Sequence, residues 1–421
     1  ATGRIFDIEL QRSFDYWKEM LTEPEKDPDQ QQDDRSRANE KPVATDDRYS
    51  ARPGSTSVLH VLDNDSDPNG QVLAITAVEQ PSGGAAVQIG PDGQTLQFTQ
   101  PATGGGTAIF AYTITNEAGE ATGKVTVEPA ATNHPPELRA NFVAPAYAVA
   151  SSGSLTMAVA ADWRDPDGDP IIITDPTDLD DGNALVQVAS DGQLEYTASR
   201  TEAATTHTVR YSVTDGISEA AEQGEVRVRI LGSGDLDGLA PVANADAARG
   251  EVGQPITVYP LANDLAGVDP GTPETRLAID GDVAGWKSAQ VDVDPESGRV
   301  TIVAKEAGGP HFLTYRSTFG SEASATGTIR VDVAEKLPVD PVAMPDQAVV
   351  RGRQAVTVDV LANDYDPRGG MLTVQTASPT PAGEDDVAVA VIKGRWVRII
   401  PQTDTFAGNP AVVTYQITNG T

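Results

Sequence analysis

The chain has 421 residues, with 62 Asp and Glu against 30 Lys and Arg, which gives a net charge of −32. This acidity argues against nucleic acid or an anionic membrane as a partner, because both are bound through basic patches. The lack of cysteine excludes disulfides, zinc–thiolate sites and a thiol nucleophile. The 39 glycines, 30 prolines and 5% aromatic residues favour sheets with many turns over helical bundles.

The first segment, 1–41, differs from the rest of the chain. In "RIFDIELQRSFDYWKEML" the apolar residues recur at spacings of three and four, which predicts a short amphipathic helix. The polar stretch "TEPEKDPDQQQDDRSRANE" follows and is typical of a linker. No signal peptide opens the chain and no apolar run reaches the roughly 18 residues of a membrane span. The protein is therefore either intracellular or an excised part of a longer exported one.

Beyond the linker the chain repeats. The stretch "VLDNDSDPNG" returns as "VAADWRDPDGDP", "PLANDLAGVDPG" and "VLANDYDPRGG", and a second landmark recurs with the same period of about 100 residues. That landmark is a tyrosine on a predicted strand: Tyr112, Tyr211, Tyr315 and Tyr415. The period exceeds the 20–50 residues of solenoids and matches the size of a β-sandwich domain.

Each repeat predicts one sandwich. In the last one, "AVTVDVL", "MLTVQT", "VAVAVI", "WVRIIP" and "VVTYQIT" read as strands, and the short gaps between them exclude a βαβ crossover. Pro-containing links between repeats indicate a semi-rigid rod. The fourth repeat stops at Thr421, before the strand that closes the other three. We therefore expect an all-β linear array of four sandwiches, the last incomplete, at 42–130, 131–232, 233–335 and 336–421.

The stretch "ANDYDPRGGMLTVQTAS", followed by "TYQITNG", resembles the bacterial Ig-like and cadherin-like tandem repeats of large cell-surface proteins. The resemblance covers about residues 42–421. The third repeat departs from the pattern, because Ala266 stands where the second Asp is expected and "GVDPGTPE" lengthens the loop. The resemblance implies an extracellular or cell-envelope array of β-sandwiches, often found in adhesins or stalks.

The acidic loop after the first landmark offers two interpretations. It is either a strand-ending turn, in which Asn and Asp accept backbone hydrogen bonds, or a Ca²⁺ site, since calcium takes six to eight oxygens. It is not an EF-hand, and a cadherin-type site would draw further carboxylates from the joints, at Asp46, Asp47, Asp246 and Asp346. Trp163 and Arg368 interrupt the acidic pattern. The candidate calcium ligands are Asp165, Asp167 and Asp169, with Asn64, Asp65 and Asp67 as a second group.

The aromatic residues and histidines carry weaker signals. The four repeat tyrosines fit core positions better than a sugar-binding platform. Of Trp163, Trp286 and Trp396, we would test only Trp163 for ligand contact. The four histidines lie at unrelated repeat positions and no phosphate-binding glycine loop is present. The sequence therefore predicts no catalytic residues.

These observations favour a non-catalytic spacer or stalk of a bacterial cell-surface or secreted protein. Two alternatives stay open: an adhesin segment that binds a cell-surface glycan or protein through its loops, and a non-catalytic arm of a surface enzyme. The expected partners are further repeats or domains of the same longer protein, with no nucleic acid and no membrane span in this chain.

Overall fold

The computed structural model describes residues 40–420, apart from 181–182, 190, 219, 235–237, 270–271, 273–275, 296, 321–322, 339, 347, 351, 369, 380–386 and 404–410. The N-terminal helix predicted within 1–41 lies outside the described residues. Over the rest, the regular structure is a succession of β-strands with two short 3₁₀ turns, Val159–Asp162 and Pro260–Ala262.

The four sandwiches are called units 1 to 4 in chain order. Unit 1 forms two sheets that enclose one core. The strands are β1 (Asp47–Ala51), β2 (Thr56–Leu59), β3 (Ala74–Val78), β4 (Ala86–Ile89), β5 (Leu96–Thr99), β6 (Ala108–Asn116) and β7 (Gly119–Pro129). One sheet has the order β1-β7-β6-β3 and the other β2-β5-β4. Along β6 buried and less buried residues alternate, which is the pattern of a strand with one face on the core.

Units 2 and 3 repeat this arrangement. Unit 2 has β8 (Glu137–Leu138), β9 (Tyr147–Ala150), β10 (Ser154–Met157), β11 (Trp163–Arg164), β12 (Ile172–Asp178), β13 (Leu185–Val188), β14 (Leu194–Thr197), β15 (Thr205–Thr214) and β16 (Glu222–Leu231). Unit 3 has β17 (Asp246–Glu251), β18 (Pro255–Val258), β19 (Leu277–Ile279), β20 (Gln290–Asp294), β21 (Arg299–Val303), β22 (Gly308–Phe319) and β23 (Ala323–Ala334). The paired sheets are β12-β15-β16-β9 with β10-β14-β13, and β17-β23-β22-β19 with β18-β21-β20.

Unit 4 contains the five strands expected from the sequence: β24 (Val356–Val358), β25 (Thr373–Pro379), β26 (Val387–Ile392), β27 (Trp396–Pro401) and β28 (Val413–Thr418). They form the sheets β24-β27-β26 and β25-β28. Among the described residues, its core cluster has three buried apolar side chains, whereas that of unit 2 has sixteen. A sandwich without its closing strand leaves its core more open, as the sequence predicts.

In the first three units the first strand of the four-stranded sheet, counted along the chain, pairs in parallel with the last strand of the unit: β1 with β7, β9 with β16 and β17 with β23. The last strand also pairs with the strand of the repeat tyrosine, and there each tyrosine lies opposite a glycine. A Cβ on Gly123 would stand 2.5 Å from the Tyr112 ring, so only glycine leaves room for that ring. The core interpretation is confirmed for Tyr112, Tyr211 and Tyr315, which are at most 2% exposed, whereas Tyr415 is half-buried.

The units follow one another in chain order, but the semi-rigid rod predicted from the Pro-containing links is bent, because units 1 and 3 are in contact. Arg330 of unit 3 donates to the carbonyl oxygens of Val72, at 2.7 Å, and of Thr115, both in unit 1. Its guanidinium also bonds Asp332, and the residue is fully buried. Two units that are not neighbours in the chain therefore touch. Over the part of the chain that the structure covers, no helix has the length and apolar character to cross a membrane.

Candidate functional site

The two groups of predicted calcium ligands lie in different surroundings. In unit 1, Asn64 and Asp65 turn toward the repeat tyrosine, whereas Asp67 caps its own turn. Asp67 Oδ1 accepts the N–H groups of Asn69 and Gln71, at 2.7 and 3.2 Å, and Oδ2 accepts the amide of Asn116 at 2.8 Å. This is the strand-ending turn that the sequence offered as the alternative to a metal site.

A tyrosine–carboxyl cluster is built where β6 passes the acidic loop of unit 1. The Tyr112 hydroxyl lies 3.0 Å from Asp65 Oδ2 and 3.1 Å from the Thr45 carbonyl oxygen. Asp47 belongs to the same cluster and accepts the Asn64 amide at 3.0 Å. Burial, reinforced by the charge of Asp65, raises the pKa of Asp47 to about 7. At neutral pH this carboxyl pair therefore holds a proton for part of the time.

Units 3 and 4 repeat the cluster. The Tyr315 hydroxyl lies 2.8 Å from Asp264 Oδ1, and burial raises the pKa of the adjacent Asp246 to about 7. In unit 4 the Tyr415 hydroxyl lies 2.8 Å from Asp346 Oδ2 and 3.1 Å from Asp364 Oδ1, and burial raises the pKa of Asp346 to about 7. Asp47, Asp246 and Asp346, named in the sequence as carboxylates for joint calcium, thus lie inside units beside a tyrosine.

Unit 2 builds the same position without the two carboxyls that units 1, 3 and 4 share, although burial and then the charge of the nearby, buried Asp162 raise the pKa of Tyr211. Trp163 occupies the place of Asp65, and its indole Nε1–H donates to the Tyr211 hydroxyl at 3.2 Å. Trp163 is 5% exposed and belongs to the core of unit 2. Its acidic neighbours in the sequence suggested a test for ligand contact; the structure places the indole in packing contact instead.

The other group of predicted ligands, Asp165, Asp167 and Asp169 of unit 2, lies at the joint between units 1 and 2. Carboxylate oxygens of Asp165, Asp169 and Asp215 lie within 4.8 Å of one another. Asp215 is not among the ligands predicted from the sequence, although it follows Tyr211 by four residues, as Asn116 follows Tyr112. Burial raises the pKa of Asp165 to about 6. Burial also disfavours the charged form of Asp215, but hydrogen bonds, first those from the N–H groups of Ser218 and Ile217, lower its pKa overall.

Most oxygens of this acidic cluster already accept hydrogen bonds. Arg52 of unit 1 donates from Nε to both carboxylate oxygens of Asp169, at 2.7 and 2.8 Å, and from Nη2 to Asn133. Asn133 in turn donates to Asp215 at 2.7 Å. A guanidinium thus supplies the positive charge that a Ca²⁺ ion would bring. Calcium binding at these residues stays a prediction, and it requires that Arg52 be displaced.

Further contacts hold the same joint. Arg164 of unit 2 donates from Nε to Asp63 Oδ2 of unit 1 at 2.6 Å, so that each unit contributes one arginine to the other. The Ser50 N–H donates to the Pro166 carbonyl oxygen at 3.0 Å. Gly168, at φ +73°, lies so near Ser57 that a Cβ would stand 2.3 Å from its hydroxyl. The acidic loop of unit 2 is therefore fitted to the end of unit 1.

A cleft of about 760 Å³ opens beside this joint. Its walls combine aromatic rings, prolines and charged groups from both units, among them Tyr49, His134, Pro135, Glu137 and Trp163. His134 contributes its N–H and its ring Nδ1 to Asp167, at 2.7 and 3.1 Å. A small polar ligand would find hydrogen-bonding groups here, but the indole face is largely covered by the core.

The histidines form no catalytic arrangement that the described residues show. His207 is 4% exposed and bonds Tyr196 at 2.7 Å and Asp178 at 3.0 Å, all within unit 2. His311 stacks on Trp286 with ring centroids 3.9 Å apart in unit 3. His207 is thus enclosed in the sandwich and His311 is engaged in stacking.

No curated protein matches the sequence. Among solved structures, Drosophila N-cadherin EC1-4 is 14% identical, covering 89% of this chain and 98% of that one at a TM-score of 0.25. The four N-terminal Ig domains of Dscam1 isoform 6.9 are 11% identical over 86% and 99%, with a TM-score of 0.27. An endo-fucoidan hydrolase of glycoside hydrolase family 107 is 17% identical over 68% of this chain, which spans 42% of the hydrolase, at a TM-score of 0.21.

TM-scores of this size establish no shared arrangement of the units. The sequence itself is more informative, because a model of one domain family matches three of the four units. It leaves out unit 3, the one whose acidic loop departs from the pattern at Ala266 although its strands follow the same order. The matches cover residues 39–128, 133–229 and 339–421, more than half of the chain, and the protein therefore belongs to the bacterial Ig domain family.

Proposed function

We propose that this array is a non-catalytic spacer that carries another part of a longer bacterial surface or secreted protein. The observation that carries the proposal is the joint between units 1 and 2. There, reciprocal pairs, Arg52 with Asp169 and Arg164 with Asp63, hold the two units in one orientation. A spacer needs such joints, because free hinges would leave the separation of its two ends undefined.

The charge of the chain supports the same function. A net charge of −32 gives mutual repulsion between arrays and high solubility. Location at the cell envelope or outside the cell is part of the proposal. It is tested by an antibody against the array on intact and on permeabilised cells of the source bacterium. Equal labelling of both supports the proposal; labelling only after permeabilisation refutes it.

A binding function is the second candidate, and the cleft at the first joint is the observation that favours it. A glycan array probed with the 421-residue protein separates the two functions. A spacer gives no selective signal. A selective signal that is lost in Tyr49→Ala, but retained in a control with an exposed tyrosine changed, Tyr259→Ala, assigns binding to the cleft and replaces the spacer proposal.

A further inference from the structure

One pair of positions meets at every joint: the residue at the end of the first strand of one unit and a loop residue of the next unit. The strand-end position is fixed by the tyrosine clusters. Asp47 and Asp246 occupy the same place in units 1 and 3, and Arg52 and Glu251 each follow five residues later. In unit 2 the parallel register of β9 with β16 places Pro145 where Asp47 stands, and therefore Ala150 where Arg52 stands.

The equivalent loop residue of each unit is identified from the hydrogen bonds of the turn in its acidic loop. Asp165 Oδ1 accepts the N–H of Asp167 at 2.9 Å, and Asp366 Oδ1 accepts the N–H of Arg368 at 2.7 Å, so Asp167 and Arg368 are equivalent. In unit 3 the bridge of Leu265 to Val242 corresponds to the bridge of Tyr365 to Val342. Val268, three residues after Leu265, is thus equivalent to Arg368.

The three joints bring these positions together with three different chemistries. At the first joint Arg52 faces Asp167 at 3.9 Å and bonds the nearby Asp169. At the second, Ala150 and Val268 are both buried in one apolar cluster with Leu231. The third joint reverses the charges of the first: Glu251 of unit 3 lies 3.5 Å from Arg368 of unit 4.

We infer that this pair is a docking code through which each unit accepts its own successor and rejects the others. The arrangement discriminates by repulsion as well as attraction. If the loop of unit 4 met the end of unit 1, Arg368 would face Arg52; if the loop of unit 2 met the end of unit 3, Asp167 would face Glu251. If the loop of unit 3 met the end of unit 1 or of unit 3, its apolar residue Val268 would bury Arg52 or Glu251 without a charged partner. The inference concerns the order of the units and does not depend on the spacer function.

The test uses the full chain, and the absence of cysteine allows two spin labels to be placed without side reactions. Asp292→Cys in unit 3 and Arg398→Cys in unit 4 are exposed positions on strands on either side of the third joint. The distance distribution between the labels is measured by pulsed electron paramagnetic resonance. With the native pair we expect a narrow distribution, because the joint holds one orientation.

Arg368→Glu places two carboxylates together and leaves Glu251 free to accept the Leu337 N–H, which it does at 2.9 Å. We expect the narrow distribution to be lost. Adding Glu251→Arg to Arg368→Glu gives the third joint the charge arrangement of the first, with the basic residue at the strand end. We expect this double variant to recover the narrow distance distribution. The control is Arg316→Glu, which breaks an exposed ion pair with Asp280 inside unit 3 and should change nothing. An unchanged distribution in Arg368→Glu, or no recovery in the double variant, overturns the inference.

Salt gives a second measurement that needs no change at the joint. At about 1 M salt the screening length falls to about 3 Å, which weakens partly exposed ion pairs and spares apolar contacts. Labels at Arg227→Cys and Asp292→Cys span the second joint instead. We expect salt to broaden the distribution across the third joint and not across the second. Equal broadening at both joints, or at neither, contradicts the inference that the third joint is ionic and the second apolar.

Discussion

Units 1 and 2 place a tyrosine at the same position and give its hydroxyl opposite roles. In unit 1 the Tyr112 hydroxyl meets the carboxylate of Asp65 and acts as the donor. In unit 2 the Tyr211 hydroxyl accepts a hydrogen bond from the indole of Trp163. Both carboxyls of the cluster are absent from unit 2, where Pro145 and Trp163 occupy their places.

The difference shows how the buried partner of the tyrosine hydroxyl can change from one unit to the next. A hydroxyl can donate or accept, so it tolerates either partner, but a carboxyl left alone in that site would have no donor. Loss of both acids together avoids this cost. Unit 2 therefore has a larger apolar core, whereas units 1, 3 and 4 keep groups that titrate near neutral pH.

The largest effect that separates the two designs should come from Trp163→Ala. Removing an indole that is 5% exposed leaves a cavity and an unpartnered hydroxyl, at a cost of about 3–5 kcal/mol to unit 2. Hydrogen exchange followed by mass spectrometry reports each unit separately. The control is Trp396→Ala, which removes a half-buried ring from unit 4 and should leave unit 2 unaffected. Unchanged protection of unit 2 would show that the indole is not part of its core.

Removal of the hydroxyl should give the next largest effect. Tyr112→Phe removes one donor from Asp65, which keeps the Thr45 N–H. Tyr211→Phe leaves the buried Trp163 indole without its acceptor. Each change should therefore cost about 1–3 kcal/mol. Hydrogen exchange again gives the free energy of unfolding for each unit. Tyr259→Phe, at an exposed tyrosine, is the matched control and should cost nothing measurable. A cost confined to one of the two units would break the equivalence of the clusters.

The third effect depends on pH and distinguishes the clusters by their carboxyls. Asp47, Asp246 and Asp346 titrate near 7 in the folded protein and near 3.9 when unfolded. Between these values the folded state holds protons that the unfolded state has lost. Their stabilising contribution is complete below about pH 4 and is lost as the pH rises through 7.

We therefore expect units 1, 3 and 4 to unfold more readily at pH 8 than at pH 5, by about 1–3 kcal/mol each. Asp47→Asn should remove most of this dependence from unit 1 while units 3 and 4 retain it. Unit 2 should show the weaker trend of Asp165, whose pKa is about 6. A unit 1 that becomes more stable from pH 5 to pH 8 would contradict the assignment of a shared proton.

The smallest effect concerns calcium and the joint after unit 1. Thermal unfolding in EDTA, in millimolar Ca²⁺ and in Mg²⁺ of the same ionic strength should show a modest rise common to both ions, because Arg52 already pairs with Asp169 of the cluster. Arg52→Gln frees Asp169 and should make the rise larger with Ca²⁺ than with Mg²⁺. A calcium-selective rise of several degrees in the native protein, abolished by Asp165→Ala with Asp167→Ala, would establish a metal site instead.

The sequence predicts the units well because their signals are local. Period-two alternation and turn residues locate the strands of unit 4, and the recurring tyrosine marks the core. The all-β sandwich follows from the same repeat, whereas the order in which the strands pair was not predicted. The proposed domain boundaries stay predictions.

The joints could not be predicted in the same way. Arg52 and Asp169 lie 117 residues apart, and their contact depends on how two units dock. In the sequence alone, Trp163 and Arg368 interrupt an acidic calcium-binding pattern. In the structure the first replaces a carboxyl beside Tyr211, and the second pairs with Glu251 of the preceding unit.

The parallel pairing of first and last strands has a mechanical consequence. The chain enters unit 1 at one end of β1 and leaves along β7, which runs in the same direction beside it. Tension between the two ends of the unit pulls these strands past each other, so their hydrogen bonds are loaded together in shear rather than opened one after another. Units 2 and 3 share this geometry through β9 with β16 and β17 with β23. Each of the three units is thereby built to resist stretching along the chain until all of these bonds fail at once.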